Sequence, residues 1–443
     1  MPNEKFNSIF EKQIDADNRV AAERWLKEVN VFGEEQNSSS YTQLKRLVDI
    51  IAATLPQQNI SWNHEKDAAQ PLVAVCMPPS IERIAAILAL WKLGAAFVPL
   101  DPKLPPERAV RMLQVASPVF VFALGAGDEL HNELLNRMNE LLGENPLRIL
   151  KLNEILITSG INTKKNGRLN MKSLPELQFD KSPIPIWNSC DTDSLATVMF
   201  TSGSTGVPKG VKLTHTNLLA RLEWQWHASS PLTFQPDDIA MLKTNVLFID
   251  SLTECFGAVG RLVNAVIAPP QLLADPQRFI AVAAQHNVTR LVAVPSPWNS
   301  IVQHAVDHNE SIESLRTLVL SGEQLKWPLV RRTRRVCVGL QRCVNLYGST
   351  ETTGDVLYEV LDVTAAEDAC VEENVPVGKP LGNTRVYILD ALREPVPEGT
   401  EGDLYVSGAL IASGYLENAT IANSQDEAAF TANSFANDAD KAM

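Results

Sequence analysis

The sequence has few basic residues, no paired cysteines and no long uncharged apolar run, and each shortage argues against a class of protein. Only 39 lysines and arginines stand against 52 aspartates and glutamates, a net charge of −13, which argues against nucleic-acid binding through a basic surface. The six cysteines form no CxxC pair, which argues against a zinc site or a disulfide framework. We therefore expect a reducing, cytoplasmic compartment.

No stretch is apolar enough to predict a membrane span. The most apolar window, IAAILALWKLGAAFVPL at residues 84–100, is interrupted by Lys92 and preceded by Glu82 and Arg83. It predicts a buried helix followed by a strand. The N-terminal residues are charged from the start and lack the apolar segment of a secretory signal. We therefore expect neither a membrane nor a nucleic acid as partner.

What the sequence does contain is an alternation of short apolar strands with amphipathic helices. The segment LVAVCM (72–77), a helical pattern from about Ser80 to Leu93, and AAFVPL (95–100) predict a strand, a helix and a parallel strand. The same rhythm resumes at LATVMF (195–200) and continues to TLVLSG (317–322). With 443 residues, the chain is long enough for two or three packed units of this α/β class.

Three other regions have a different character. Residues from about 15 to 60 show helical spacing with a polar break at GEEQNSSSYTQL (33–44), where the serine run before Tyr41 predicts a helix cap. The polar stretch 154–187 predicts a surface excursion or linker. From residue 384 onward, short apolar segments separated by proline and glycine turns predict a small β-rich unit.

The segment TSGSTGVPKG, residues 201–210, has the composition of a phosphate-binding loop. Glycines expose backbone N–H groups, while the hydroxyls of Ser202, Ser204 and Thr205 and the charge of Lys209 complete a nest for phosphate oxygens. Its spacing fits neither the GxxxxGK[ST] loop nor the dinucleotide GxGxxG motif. The alternative interpretation is a flexible surface loop. His215, just after the loop, is either a capping and packing residue or a ligand.

Taken whole, the loop resembles that of the adenylate-forming superfamily, which includes acyl-CoA synthetases, luciferases and the adenylation domains of nonribosomal peptide synthetases. Three further segments resemble family motifs in the family's order, and the resemblance runs from about residue 70 to 420. They are LWKLGAAFVPLDPKLPPER (90–108), NLYGSTETTG (345–354) and GDLYVSGALIASGYL (402–416).

The resemblance implies ATP and Mg²⁺ as cofactors. Tyr347 offers a ring face to a purine, Thr350 a hydroxyl to the α-phosphate, and Glu351 a hard oxygen ligand to Mg²⁺, although such a turn is by itself common before a helix. The implied catalytic residues are Lys209, Thr350 and Glu351, and the implied metal ligands are Thr205 and Glu351. The implied ATP-binding residues are Thr201, Ser202, Gly203, Ser204, Thr205, Gly206, Lys209, Gly322, Glu323, Asn345, Tyr347, Gly348 and Thr350.

The implied fold is two doubly wound α/β subdomains with a small, barrel-like β-rich subdomain. We place them at residues 1–190, 191–382 and 383–443. In the family, a hinge with a ribose-binding aspartate and a mobile lid carrying a catalytic lysine follow the β-rich unit. The sequence to Met443 contains neither, so we expect an adenylation core without its lid, weak or inactive by itself.

The segment FIDSLTECFG, residues 248–257, bears on the substrate. Family members that activate α-amino acids carry an aspartate directly after its first Phe, whereas here that place holds Ile249 and the carboxylate is one residue later, at Asp250. On a helix one residue is a rotation of about 100°, and a β-amino acid needs such a displacement of the carboxylate. The alternative is that Asp250 caps the helix. The implied substrate-binding residues are Phe248, Asp250, Thr253, Val319, Ser321, Gly354 and Asp355.

Within the superfamily, the sequence is similar to synthetases that join β-alanine to biogenic amines. That similarity implies a carrier domain with a phosphopantetheine arm and an amine-selecting domain as partners in the full-length protein. Two alternatives stay open at this point. An acyl-CoA synthetase uses the same phosphate loop, and a chain without the lid also fits a catalytically dead ATP-binding fragment.

Overall fold

The structure of the chain is a computed structural model. It describes residues 6–58, 70–125, 129–143, 146–158, 161, 169–171, 174, 193–201, 208–362, 373–382, 384–416 and 429–435. The helices are α1 (Phe6–Ala16), α2 (Asn18–Glu23), α3 (Tyr41–Thr54), α4 (Ile81–Leu93), α5 (Pro106–Ala116), α6 (Glu129–Leu142), α7 (Leu152–Thr158), α8 (His215–Trp226), α9 (Asp250–Val259), α10 (Pro276–Gln285), α11 (Pro295–His308) and α12 (Trp327–Val336).

The strands belong to three sheets in the described residues. They are β1 (Trp25–Val29), β2 (Glu35–Ser40), β3 (Leu72–Cys76), β4 (Ala96–Leu100), β5 (Phe120–Ala123), β6 (Ile149–Lys151), β7 (Leu195–Thr201), β8 (Lys209–Thr214), β9 (Ile239–Leu242), β10 (Asn264–Ile267), β11 (Arg290–Ala293), β12 (Thr317–Leu320), β13 (Arg342–Tyr347), β14 (Leu357–Leu361), β15 (Lys379–Pro380), β16 (Arg385–Leu389) and β17 (Asp403–Ser407).

Both large sheets are mainly parallel, which confirms the predicted α/β class. One has six strands in the order β6-β5-β3-β4-β7-β8, and the other has nine in the order β15-β14-β13-β12-β11-β9-β10-β1-β2. Antiparallel pairing lies at their ends, where β8 pairs with β7, β2 with β1, and β14 and β15 follow β13. In the described part of the β-rich unit, β16 and β17 form an antiparallel pair. Its barrel-like closure stays a prediction.

The six-stranded sheet is buried on both faces, as a doubly wound arrangement requires. Val73 and Val75 of β3 belong to one hydrophobic cluster, while Ala74 and Cys76, which point the other way, belong to another. The first cluster also contains buried residues of α3, α4 and the nine-stranded sheet. Helices α3 and α4 therefore share one core with both sheets. No helix in the described ranges has the length and apolar character that crossing a bilayer requires.

The strands do not follow the predicted boundary at residue 190. Strands β1 and β2 join the nine-stranded sheet, where β1 pairs with β10, while β7 and β8 complete the six-stranded sheet. The expectation of helical structure within residues 15–60 is wrong for β1, while β2 lies in the polar break of that pattern. Ser40 does cap α3 through a capping box with Gln43, as the serine run predicted. Most of the predicted linker at 154–187 lies outside the described residues.

Candidate active site

The glycine-rich segment connects two antiparallel strands. Thr201 at the end of β7 is the register partner of Lys209 at the start of β8. Its centre lies outside the described residues, and with it the predicted phosphate-binding residues Ser202, Gly203, Ser204, Thr205 and Gly206. His215, the first residue of α8, is buried and packs edge-on against Trp91 at 5.4 Å between ring centroids. This contact agrees with the packing interpretation of His215.

The late motif at residues 410–416 joins the phosphate-loop hairpin to the turn at Thr350–Thr352. On one side, the backbone N–H of Leu416 donates to the carbonyl of Gly210 at 2.7 Å. On the other side, the N–H of Ala412 donates to the carbonyl of Glu351 at 2.9 Å. A Cβ on Gly210 would lie 3.0 Å from both Leu416 and Val198, so a larger residue there would require these side chains to shift. Two segments that are about 140 residues apart in sequence are thus held side by side.

Tyr415 links the two charged residues predicted to act on ATP. Its hydroxyl donates to Oε1 of Glu351 at 2.9 Å, and the ammonium of Lys209 lies 5.3 Å from the centre of its ring. One aromatic side chain therefore contacts both Lys209 and Glu351. Tyr415 is not among the residues predicted to act on ATP. Its position in the GYL segment (414–416) of the late motif was the only feature of the sequence that could have indicated a role.

A cleft of about 340 Å³ opens at the ends of β12 and β13. Pockets of this size accept small-molecule ligands. Gly322 turns the chain after β12 with φ +90°, a conformation that favours glycine. Tyr347 is 45% exposed, which leaves the residue accessible at the cleft. The lining includes five residues predicted to bind ATP, namely Gly322, Glu323, Asn345, Tyr347 and Gly348.

Buried and short-range contacts hold the cleft in shape. The Asn345 amide donates to the carbonyl of Pro376 at 2.9 Å, and the Glu323 carboxylate accepts hydrogen bonds from the backbone and hydroxyl of Ser296. A Cβ on Gly348 would lie 2.0 Å from the carbonyl oxygen of Gly354, so any side chain there would displace the turn. Thr350 begins the short 3₁₀ helix that follows.

A second, narrow cavity lies beside the first turn of α9, with free space of about 10 Å³, close to what one water molecule occupies. Ser321 and Gly354 border two of its lining residues: Ser321 contacts Asp355, and a Cβ on Gly354 would lie 3.8 Å from Oδ1 of Asp250. Phe248 does not line the cavity and is 65% exposed. The wall consists of Arg221, Gln225, Leu232, Asp250, Thr253, Arg290, Val292, Val319, Leu346 and Asp355.

Both carboxylate oxygens of Asp355 have neighbours that sequence reasoning did not identify. The Arg221 guanidinium on α8 donates to Oδ2 of Asp355 at 2.7 Å through Nη2, and both side chains are 1% exposed. Ser321 donates to the other oxygen at 3.0 Å. Asp355, an implied substrate-binding residue, therefore adds no unpaired negative charge to the cavity, because a buried arginine neutralises it. Arg221 lies in a helix with no local motif to mark it.

Asp250 differs from Asp355 in having no such partner among the described residues. It is the first residue of α9, the cap position is Ile249, and no side chain caps this helix end. Burial, and then the nearby Asp355 carboxylate, raise the pKa of Asp250 from its ordinary value of 3.8 to about 7, while Arg221 acts in the opposite direction. The capping interpretation therefore has no support in the structure.

Of the two predicted magnesium ligands, only Glu351 lies within the residues that the structure describes. Within the described residues, no group of three or more histidine, cysteine, aspartate or glutamate side chains is arranged to hold a metal ion. A lone carboxylate nevertheless fits Mg²⁺ that arrives with a nucleotide, because that ion is usually bound through one or two carboxylates together with substrate phosphates. Glu351 has the appropriate chemistry, and Thr205 lies outside the described residues.

Comparisons with known proteins agree with these observations. The family model described as AMP-binding enzyme matches residues 18–416. The chain is 31% identical over 403 residues to the beta-alanyl-bioamine nonribosomal peptide synthetase ebony of Drosophila melanogaster, an alignment that covers 87% of this chain and 41% of that protein. It is 29% identical over 400 residues to the vanchrobactin synthetase VabF of Vibrio anguillarum, covering 88% of this chain and 12% of that protein.

Solved structures share the fold. The N-terminal subdomain of Klebsiella oxytoca NpsA, in complex with 3-hydroxybenzoyl-AMSN, matches with a TM-score of 0.71 at 20% identity, over 95% of this chain and 91% of that one. The nonribosomal peptide synthetase FmoA3 matches with a TM-score of 0.73 at 22% identity, over 94% of this chain and 38% of that one. The predicted resemblance to adenylation domains is thereby confirmed at the level of the family and the fold.

Proposed function

Because the chain belongs to the AMP-binding enzyme family, we propose that it uses ATP to adenylate a short β-amino acid, β-alanine. The substrate carboxylate attacks the α-phosphorus of ATP, the bond to the β-phosphate oxygen breaks, and β-alanyl-AMP and pyrophosphate form. A thiol then takes the acyl group and releases AMP. The proposal depends on one observation above all: the Asp250 carboxylate in the narrow cavity beside α9 has no side-chain partner among the residues that the structure describes.

On the nucleotide side, the proposal assigns adenine to the cleft at Tyr347 and the phosphates to the hairpin between β7 and β8. Lys209 at the end of that hairpin offsets the repulsion between the substrate carboxylate and the phosphates, and Thr350 donates to the α-phosphate. Mg²⁺, when bound, neutralises phosphate charge, with Glu351 and Thr205 as its protein ligands. The contact of Tyr415 with both Lys209 and Glu351 supports this assignment.

On the amino-acid side, Asp250 receives the substrate ammonium. An ammonium in a closed cavity requires a paired anion, since an isolated buried charge is strongly unfavourable. Asp355 does not meet that need, because Arg221 and Ser321 occupy both of its oxygens. The space of about 10 Å³ accepts a group the size of an ammonium. Thr253 and Val319 then limit the length of the substrate, which favours β-alanine.

The wider reaction extends this proposal to a longer protein. The ebony relative is named a beta-alanyl-bioamine nonribosomal peptide synthetase. We propose that in the longer protein the β-alanyl group passes to a phosphopantetheine thiol on a carrier domain, and then to an amine chosen by an amine-selecting domain. The chain spans 41% of that relative. The division at residue 382 and the cytoplasmic location stay predictions, whereas the two large sheets do not divide at residue 190.

The direct test measures binding and chemistry separately. Calorimetry with non-hydrolysable β-alanyl and L-alanyl adenylate analogues reports recognition without turnover, and we expect the β-alanyl analogue to bind at least about tenfold more tightly, the effect of one well-placed charged contact. Pyrophosphate exchange with each amino acid then reports adenylation. Equal affinities, or a preference for the L-alanyl analogue, refute β-alanine as substrate. Absence of binding by either analogue and by ATP at millimolar concentration counts against the nucleotide site itself.

A further inference from the structure

The Arg221 guanidinium makes several contacts, of which the ion pair with Asp355 is only one. Besides the 2.7 Å contact from Nη2, its Nε lies 3.3 Å from the same Oδ2, and Nη1 donates to Gln225 at 3.2 Å. Its guanidinium also lies 5.1 Å from the centre of the Trp224 ring. These contacts fix the guanidinium in one orientation. Arg221 therefore presents a constant positive charge at the wall of the cavity.

Two carboxylates line the same cavity, Asp355 and Asp250, and they differ in their hydrogen-bond partners. Asp355 is paired with Arg221 and Ser321. Asp250 accepts no side-chain hydrogen bond from the residues that the structure describes. The remaining cation in the wall, Arg290, donates from Nη2 to the carbonyl of Leu232 at 2.8 Å, and its guanidinium carbon lies 4.2 Å from the centre of the Phe234 ring. The lining thus offers one carboxylate to an incoming cation.

We propose that Arg221 is the positioning residue that sets the charge selectivity of the substrate cavity. By neutralising Asp355 it leaves a single receptor carboxylate, Asp250, so the cavity accepts amino acids with one ammonium group and rejects those with two. The inference rests on the proposed function. Its physical basis is that two unpaired carboxylates this close would attract a dication, whereas one matches a monocation.

Loss of the Asp355 charge has a different expected effect from loss of the Arg221 charge. If Asp355 loses its charge while Arg221 keeps it, the guanidinium lies beside Asp250 without its usual partner. It then pairs with Asp250 and competes with the substrate ammonium. Removing both charges restores a cavity with one available carboxylate. Arg221 and Asp355 therefore define a double-mutant cycle: each single substitution should reduce selectivity for a substrate with one ammonium group, and the double substitution should restore it.

The test uses two adenylate analogues that differ by one ammonium group, β-alanyl and 2,3-diaminopropionyl, with Kd from calorimetry. We expect the unaltered chain to prefer the β-alanyl analogue at least tenfold. Arg221→Met should move that ratio at least tenfold toward the diaminopropionyl analogue. Asp355→Asn should weaken β-alanyl binding at least tenfold, and the double variant Arg221→Met/Asp355→Asn should recover the original ratio. Asp403→Asn, an exposed acid-to-amide change on β17, is the matched control.

Each outcome has one meaning. Unchanged ratios in Arg221→Met, or a double variant that fails to recover selection, overturn the inference. If Arg221→Met does not fold, because it leaves the buried Asp355 without a cationic partner, Asp355→Asn and the double variant still decide the question. If the unaltered chain binds the nucleotide but neither aminoacyl analogue better than AMP, the proposed function fails instead. A structural role alone would lower both affinities together and leave their ratio constant.

Discussion

Replacing Asp250 with asparagine separates the stability effect of this carboxylate from its use in binding. The folded chain raises its pKa from 3.8 to about 7, chiefly through burial. Between those pH values the folded state holds a proton that the unfolded state releases, so the free energy of unfolding falls as pH rises. One pH unit corresponds to about 1.4 kcal/mol, and the carboxylate therefore destabilises the substrate-free chain above pH 7 by roughly 2–4 kcal/mol.

Asp250→Asn removes that ionisation and keeps the size of the side chain. We expect the variant to be more stable than the unaltered chain above pH 7, with a Tm higher by about 2–4 °C for a chain of this length. The difference should shrink below pH 7 and fall to roughly 0.5 kcal/mol at pH 4, where the aspartate is protonated in the folded state and about 40% protonated in the unfolded state. Differential scanning calorimetry across pH 4–9 measures it, with Asp403→Asn as control.

The same variant should lose its substrate. Without the carboxylate, the ammonium of the β-alanyl analogue is buried unpaired, and we expect its affinity to fall by at least about 100-fold while ATP affinity stays within about threefold. In the unaltered chain, β-alanyl binding should strengthen as pH rises through 7, because only the ionised Asp250 pairs with the ammonium. A variant that is less stable at pH 8, or that still prefers β-alanyl to L-alanyl, refutes this reasoning.

Three further tests address the nucleotide side. Glu351→Gln should reduce the Mg²⁺ dependence of ATP binding in calorimetric titrations, whereas Lys209→Ala should slow pyrophosphate exchange with little change in ATP affinity; identical effects would contradict the separate roles. Tyr415→Phe keeps the ring beside Lys209 and removes the hydroxyl from Glu351, so it should weaken Mg²⁺-dependent binding by about three- to tenfold, and an unchanged Mg²⁺ titration would dismiss the link. Gly348→Ala should lower both Tm and ATP affinity, because its Cβ would clash with the Gly354 carbonyl oxygen. Unchanged Tm and ATP affinity would show that the turn can shift to accommodate the methyl group.

Local sequence pattern was sufficient for most of the fold. Strand β3, helix α4 and strand β4 were predicted within one residue or so of their observed ends, because the hydrophobic period and the glycine after α4 act over a few residues. The motifs at 345–354 and 402–416 likewise identified the family, and the structure brings five of the predicted adenine-cleft residues to one cavity. These features depend on neighbours in sequence, which a pattern records directly.

Tertiary structure alone decided the pairings between distant segments. Strand β2, EQNSSS, has no apolar alternation, and it is a strand because β1 pairs with β10, more than 200 residues away, and offers β2 its other edge. Arg221 and Asp355 are 134 residues apart, and Tyr415 and Glu351 are 64 apart. An aspartate has the same letter in the sequence whether or not its charge is neutralised in the fold. Only the packing of α8 against the cavity determined that Asp355 is paired and Asp250 remains available, because partners and burial are properties of space and not of sequence order.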